Sequence, residues 1–206
     1  MVSDTYFIGA AHTAGSYSVG AQVDFLGNDG NVYTRTIIAL LAHLAPSHIV
    51  TSPADTTILA AGSQAWDDLM VGKLSAALPA AVKPLKILPA NWRTYLPMLG
   101  LNLPILHWGK WDGVSYFHDI FITPGRFLSY QTAFADPEAM WTFPQISPPD
   151  YRRDVVHGDS GGASFIPING EAVLISTNGW GDGTYAPALD GYRDWVDAAI
   201  ATLSAL

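Results

Sequence analysis

Glycine and proline interrupt this chain so often, 19 and 14 times in 206 residues, that few uninterrupted runs are long enough for helices. What lies between the breaks is short, β-branched and aromatic, and that pattern reads as strands joined by turns. The set begins with Thr5 to Ala11 and Gly20 to Leu26, followed by a turn at Gly27-Asn28-Asp29-Gly30 and a returning partner, Asn31 to Leu40. His48 to Thr51 and Thr56 to Ala61 follow, and then residues 62–83 show no clean alternation and read as a connection between two halves.

The second half repeats the pattern at Leu85 to Leu88, Leu103 to Gly109, Val114 to Thr123, Phe127 to Ala133, Ala163 to Ile168 and Glu171 to Thr177. Asn169-Gly170 between the last two is a strong hairpin signal, because a two-residue type I′ turn needs positive φ at both positions. From about Asp190 the period changes. Tyr192, Trp195, Val196, Ala199, Ile200 and Leu203 form one apolar stripe at helical spacing, so a C-terminal helix is predicted over 190–206.

Composition excludes several functions. Only 14% of residues are charged, against about 25% in ordinary globular chains, which argues for a large buried fraction rather than disorder. A net charge of −8 disfavours nucleic acid and anionic membrane surfaces as partners. No apolar run approaches the roughly 20 residues of a membrane span, the best candidate being Ile37 to Leu41. With no cysteine there is neither a disulfide framework nor a thiolate metal site, and no metal or organic cofactor is expected. The first residues, MVSDTYFIGAAH, lack the basic and long apolar regions of a signal peptide, so the chain is expected either to stay unexported or to have lost its export signal.

One segment carries chemistry. In Gly158-Asp159-Ser160-Gly161-Gly162, glycines flank a serine so that backbone can approach a substrate and aim N–H groups at it. The segment also fits the nucleophile elbow of α/β-hydrolases, but that arrangement needs a His after the Ser, and the last His is His157. The order His, Asp, Ser remains. A histidine ending a strand is found in Gly9-Ala10-Ala11-His12, and an acid opening one in Asp55-Thr56-Thr57-Ile58-Leu59. Asp67-Asp68 is a rival acid, set behind Asp55 because its surroundings have poor strand character. His43 and His48 read as turn caps rather than metal ligands, and His107 and His118 as histidines satisfied within apolar strands.

In that order and context, GAAH, DTTIL and GDSGG resemble the three signature segments of the chymotrypsin/trypsin-like serine peptidases. Trp108-Gly109, Gly179-Trp180-Gly181 and the Tyr192/Trp195 pair are similar to further segments, so the resemblance runs from Thr5 to Leu206. It implies an all-β chain of two antiparallel β-barrels of the six-stranded type with a C-terminal α-helix. The halves fall at about 1–75 and 84–189 of a single peptidase domain, 1–206. With only eleven residues ahead of His12, the first barrel is expected to be incomplete at its N-terminus.

Residue by residue, the resemblance implies Ser160 as nucleophile, His12 as base and Asp55 as its carboxylate partner. It also implies an oxyanion hole from the N–H groups of Gly158 and Ser160. Gly179, Trp180 and Gly181 would pair with a polypeptide substrate. Asp154 looks like the acidic base of a specificity pocket that rewards Arg or Lys, although pairing with Arg152 or Arg153 is an equal alternative. The implied activity is serine endopeptidase, through an acyl-enzyme and without cofactor, in an extracellular or periplasmic setting. A silent binding module of the same fold, or an esterase or acyl-transfer enzyme on the same residues, stays open.

Overall fold

The computed structural model describes residues 2–13, 17–43, 49–55, 68–94, 102–111, 116–131, 139–144, 160–178 and 185–206. The chain is predominantly antiparallel β with a C-terminal helix, and it divides into two compact units. The first comprises Met1–Ser63, Asp67–Lys86 and Asp194–Leu206; the second comprises Gln64–Trp66 and Ile87–Arg193.

In the first unit β1 (Tyr6–Gly9), β2 (Gln22–Leu26), β3 (Val32–Ala42), β4 (Ile49–Val50) and β5 (Met70–Leu74) form one sheet. Its order is β1-β5-β3-β2, with β4 also on β3. The β2–β3 hairpin forms where the turn residues demand it. Gly30 adopts φ 79°, and the Asp29 carboxylate accepts hydrogen bonds from the Asn31 main chain, the Asn31 amide and the Tyr33 hydroxyl. Those donors, the Tyr33 hydroxyl foremost, hold the Asp29 carboxyl below its ordinary range.

The structure corrects one expectation here. Residues 70–74 are no connection but β5, the strand inserted between β1 and β3. Met70, Val71 and Leu74 are buried to 1% exposure or less, so both faces of this strand are covered and the period-2 alternation that reveals a half-buried strand is missing. Gly72 is required by packing, because a Cβ there would overlap the ring of Phe7. Around it Phe7, Ile37, Leu40, Val50, Met70 and Leu74 make the core of the unit.

A seven-stranded sheet runs β12-β9-β8-β7-β10-β11-β6. Its strands are β6 (Lys86–Ile87), β7 (Asn102–Trp111), β8 (Tyr116–Gln131), β9 (Ala139–Pro144), β10 (Ala163–Ile168), β11 (Glu171–Thr177) and β12 (Tyr185–Pro187). Two differences from the sequence reading appear. β8 continues through Pro124-Gly125, where two strands were expected. Pro124 lies opposite Pro104 and the pairing with β9 begins only at Gly125, so the missing proline N–H breaks no ladder bond on that side. Neither β9 nor β12 was anticipated.

The final helix, α1 (Leu189–Ser204), matches the predicted stripe. Tyr192, Val196, Ala199 and Leu203 are buried, each large aliphatic contributing roughly 1.5–3 kcal/mol relative to exposure. Its C-terminal end is fixed to the first unit: Lys73 Nζ donates to the Leu203 carbonyl at 2.9 Å, where a cation also meets the negative end of the helix dipole. The hydroxyls of Tyr6 and Ser204 are hydrogen-bonded at 2.8 Å. Among the described residues no helix is long and apolar enough to cross a membrane.

Candidate active site

Ladder geometry sets the position of His12. β1 and β5 pair from Tyr6↔Lys73 to Gly9↔Met70, and at the last pair a side chain on Gly9 would press on the Met70 methyl at 3.0 Å. Beyond Gly9 the chain enters a 3-10 turn, Ala11–Thr13, in which both the main-chain N–H and the hydroxyl of Thr13 donate to the Ala10 carbonyl. Continuing the antiparallel ribbon past Gly9↔Met70 brings the residues after β1 alongside those before β5. His12 thereby meets Asp68.

Asp68 holds His12 at two points. Its Oδ1 accepts the His12 main-chain N–H at 2.8 Å, and its Oδ2 lies 2.6 Å from His12 Nδ1. The carboxylate is fully buried, whereas the His12 side chain keeps 32% of its surface exposed. A carboxylate can only accept, so Nδ1 carries the shared hydrogen and the neutral ring is left with its lone pair on Nε2. Such a pair can take a proton at Nε2 and stabilise the imidazolium that results. The residue after Asp68 is fixed as well, because Leu69 accepts the His43 N–H at 2.9 Å. The His43 ring packs edge-on against Trp195.

The structure brings the rival acid, Asp68, to His12 Nδ1, where the sequence reading expects Asp55. Asp55 closes a turn in which its N–H donates to the Ser52 carbonyl at 3.1 Å. The β-branched run Thr56 to Ala61 that favoured Asp55 lies outside the described residues. In the sequence Asp68 stands behind Asp55 because its surroundings have poor strand character. The usable signal was the apolar run Leu69-Met70-Val71, which fits a strand buried on both faces.

Ser160 stands in the second unit at the open end of the β10–β11 hairpin. The closed end is Asn169-Gly170, with φ of 51° and 80° as a primed turn requires. Past Ala163↔Thr177 the pairing continues into the serine turn: Gly161 N–H donates to the Asn178 carbonyl at 2.8 Å, and Asn178 N–H donates to Gly162 at 2.7 Å. Gly161 takes φ 83°, which only glycine adopts without strain, so the glycine after the serine is dictated by this turn. Ser160 is half-buried. Asn178 was not singled out in the sequence.

Gly158, Asp154, Gly179, Trp180 and Gly181 lie outside the described residues, as do Asp159, Arg152, Arg153 and His48. Among the described residues no three His, Asp or Glu side chains gather as a metal-binding group. No protein-family model matches the chain, and no curated protein matches it either.

Proposed function

We propose that this protein is a serine hydrolase of the trypsin-like peptidase type, an endopeptidase using Ser160, His12 and Asp68. The observation that carries the reading is the two-point hold of buried Asp68 on His12, the arrangement a histidine base needs, in a chain that also bears Gly-Asp-Ser-Gly-Gly. Support comes too from the glycine turn fixed beside Ser160.

In this mechanism Ser160 Oγ attacks the substrate carbonyl carbon and passes its proton to His12 Nε2. The carbonyl oxygen becomes an oxyanion held by the N–H groups of Gly158 and Ser160. As the C–N bond breaks, the imidazolium returns the proton to the leaving amine, and an acyl-serine remains. Water then attacks it with His12 again as base, releasing the acid and restoring the serine. Asp68 keeps the proton on Nδ1 throughout. Each half belongs to a β-barrel in this reading, and Asp154 favours Arg or Lys before the cut bond.

The test is turnover of a peptide library, with ester substrates in parallel, by wild type, Ser160→Ala and His12→Ala. Cleavage by wild type and its loss in both variants is expected. Cleavage that survives Ser160→Ala would remove the serine from the reaction, and no turnover of any substrate by wild type would leave the fold a binding module.

A further inference from the structure

Two side chains beneath the serine turn have no part in the mechanism as written, yet both are nearly inaccessible: Ser164 at 2% and Asn178 at 1% exposure. They sit on opposite strands of the β10–β11 hairpin. Ser164 is paired with Ser176, and Asn178 follows Thr177 immediately, so Asn178 and Ser176 face the same side as Ser164. The Ser164 hydroxyl donates to Asn178 Oδ1 at 3.3 Å.

An amide and a hydroxyl buried at such positions are costly unless they satisfy each other, and apolar residues would fill the same strands more cheaply. Their placement suggests why they are there. Asn178 is the residue whose main chain accepts from Gly161 and donates to Gly162, the two residues directly after Ser160. A bulge between Ser164 and Phe165 sits at the same level, so regular pairing alone does not fix the register of this end of the hairpin. The side-chain bond adds the missing constraint by tying Asn178 to the strand that leads out of the serine turn.

We infer that Asn178 and Ser164 are positioning residues for Ser160: together they set the height and angle at which the turn presents its hydroxyl. The inference rests on the proposed role of Ser160 as nucleophile. A displacement of a reacting atom by a fraction of an ångström is enough to slow a step that depends on alignment. Neither residue touches substrate.

Ser164→Ala is the decisive variant, because it deletes one oxygen and leaves the strand intact; Ser164→Thr keeps the hydroxyl, and Asn178→Ala removes the acceptor. Two quantities are read on each: the rate at which a fluorophosphonate labels Ser160, and amide hydrogen exchange at Gly161 and Asn178 with Phe165 and Leu174 as internal reference. In Ser164→Ala, labelling is expected to slow about tenfold while exchange at Gly161 and Asn178 accelerates and the reference amides hold. Ser164→Thr should restore both towards wild type. Asn178→Ala should slow labelling at least as much as Ser164→Ala, since it removes the acceptor of the same bond. Labelling at the wild-type rate in Ser164→Ala would overturn the inference, whatever the exchange shows, and so would slower labelling with uniform loss of protection through the hairpin. A wild type that does not label at all defeats the role of Ser160 first, and the positioning role falls with it.

Discussion

The β1–β5 ribbon and the β10–β11 hairpin each lead to a residue of the proposed triad, but they are built in opposite ways. His12 is held by a side chain 56 positions away in sequence, a buried carboxylate that reaches both its ring and its main chain. Ser160 is held by its near neighbourhood, through main-chain bonds from the next two residues to Asn178 across one hairpin. The ribbon therefore depends on one charged group and a tightly filled strand, and the hairpin depends on turn conformation. Perturbations of the two should differ in kind as well as in size.

The largest contrast concerns the carboxylate. Asp68→Asn keeps the shape of the contact but lets the ring adopt the wrong tautomer, and turnover should fall by about 10⁴-fold, the loss such a change brings in triads of this design. Asp55→Asn should stay within about threefold of wild type, because Asp68 is the carboxylate at His12 Nδ1. Equal losses in the two variants would break the assignment of Asp68.

Stability should separate the two regions next. His12→Ala deprives a fully buried carboxylate of its ring partner and should cost about 3 kcal/mol, whereas Ser160→Ala, at a half-buried turn, should stay within about 0.5 kcal/mol. Urea unfolding of both variants measures the difference. If His12→Ala were neutral, the contact of the ring with Asp68 would not be holding the ribbon.

That contrast also explains what the sequence revealed. The hairpin was legible because its signals are local: Asn169-Gly170 dictates the turn, and glycines flank the serine within five residues. The helix was legible by its stripe. The ribbon was legible only in part: β1 lies within the expected strand Thr5 to Ala11, but β5 was read as a connection, since Leu69 to Leu74 is covered on both faces and its pairing with Tyr6 to Gly9 and Ile37 to Ala42 is set by tertiary contacts. Asp55 looked the better acid because the β-branched residues after it have local strand preference, a weaker guide than burial. Gly72 carries no mark in the sequence of the ring it accommodates.

Glycine substitutions sharpen the same comparison at lower cost. Gly72→Ala forces a methyl into the Phe7 ring inside the core and should destabilise by about 2–3 kcal/mol. At Gly170 no described residue lies within 4 Å of the added methyl, so Gly170→Ala should cost chiefly the backbone strain of its positive φ, about 1 kcal/mol. Thermal unfolding of the pair checks the order.

The smallest expected effect is alkaline. Burial raises the Tyr17 phenol above its ordinary value of 10.0, so the unfolded chain loses that proton first and the folded state binds more protons. Stability from Tyr17 is therefore complete below pH 10 and declines as pH rises through the raised value. Tyr17→Phe should flatten the fall in urea midpoint above pH 10 without altering it near neutrality. An unchanged alkaline slope would assign the fall to other groups.

The central claim is that Ser160 is a nucleophile activated by the His12–Asp68 pair. Mass spectrometry after exposure to a fluorophosphonate tests it most directly, because the probe reports both the residue modified and the need for a folded base. A single adduct on Ser160 is expected in native protein, absent after heat denaturation and strongly suppressed in His12→Ala and Asp68→Asn. Native protein without an adduct on Ser160, or one formed equally well without His12, would contradict it.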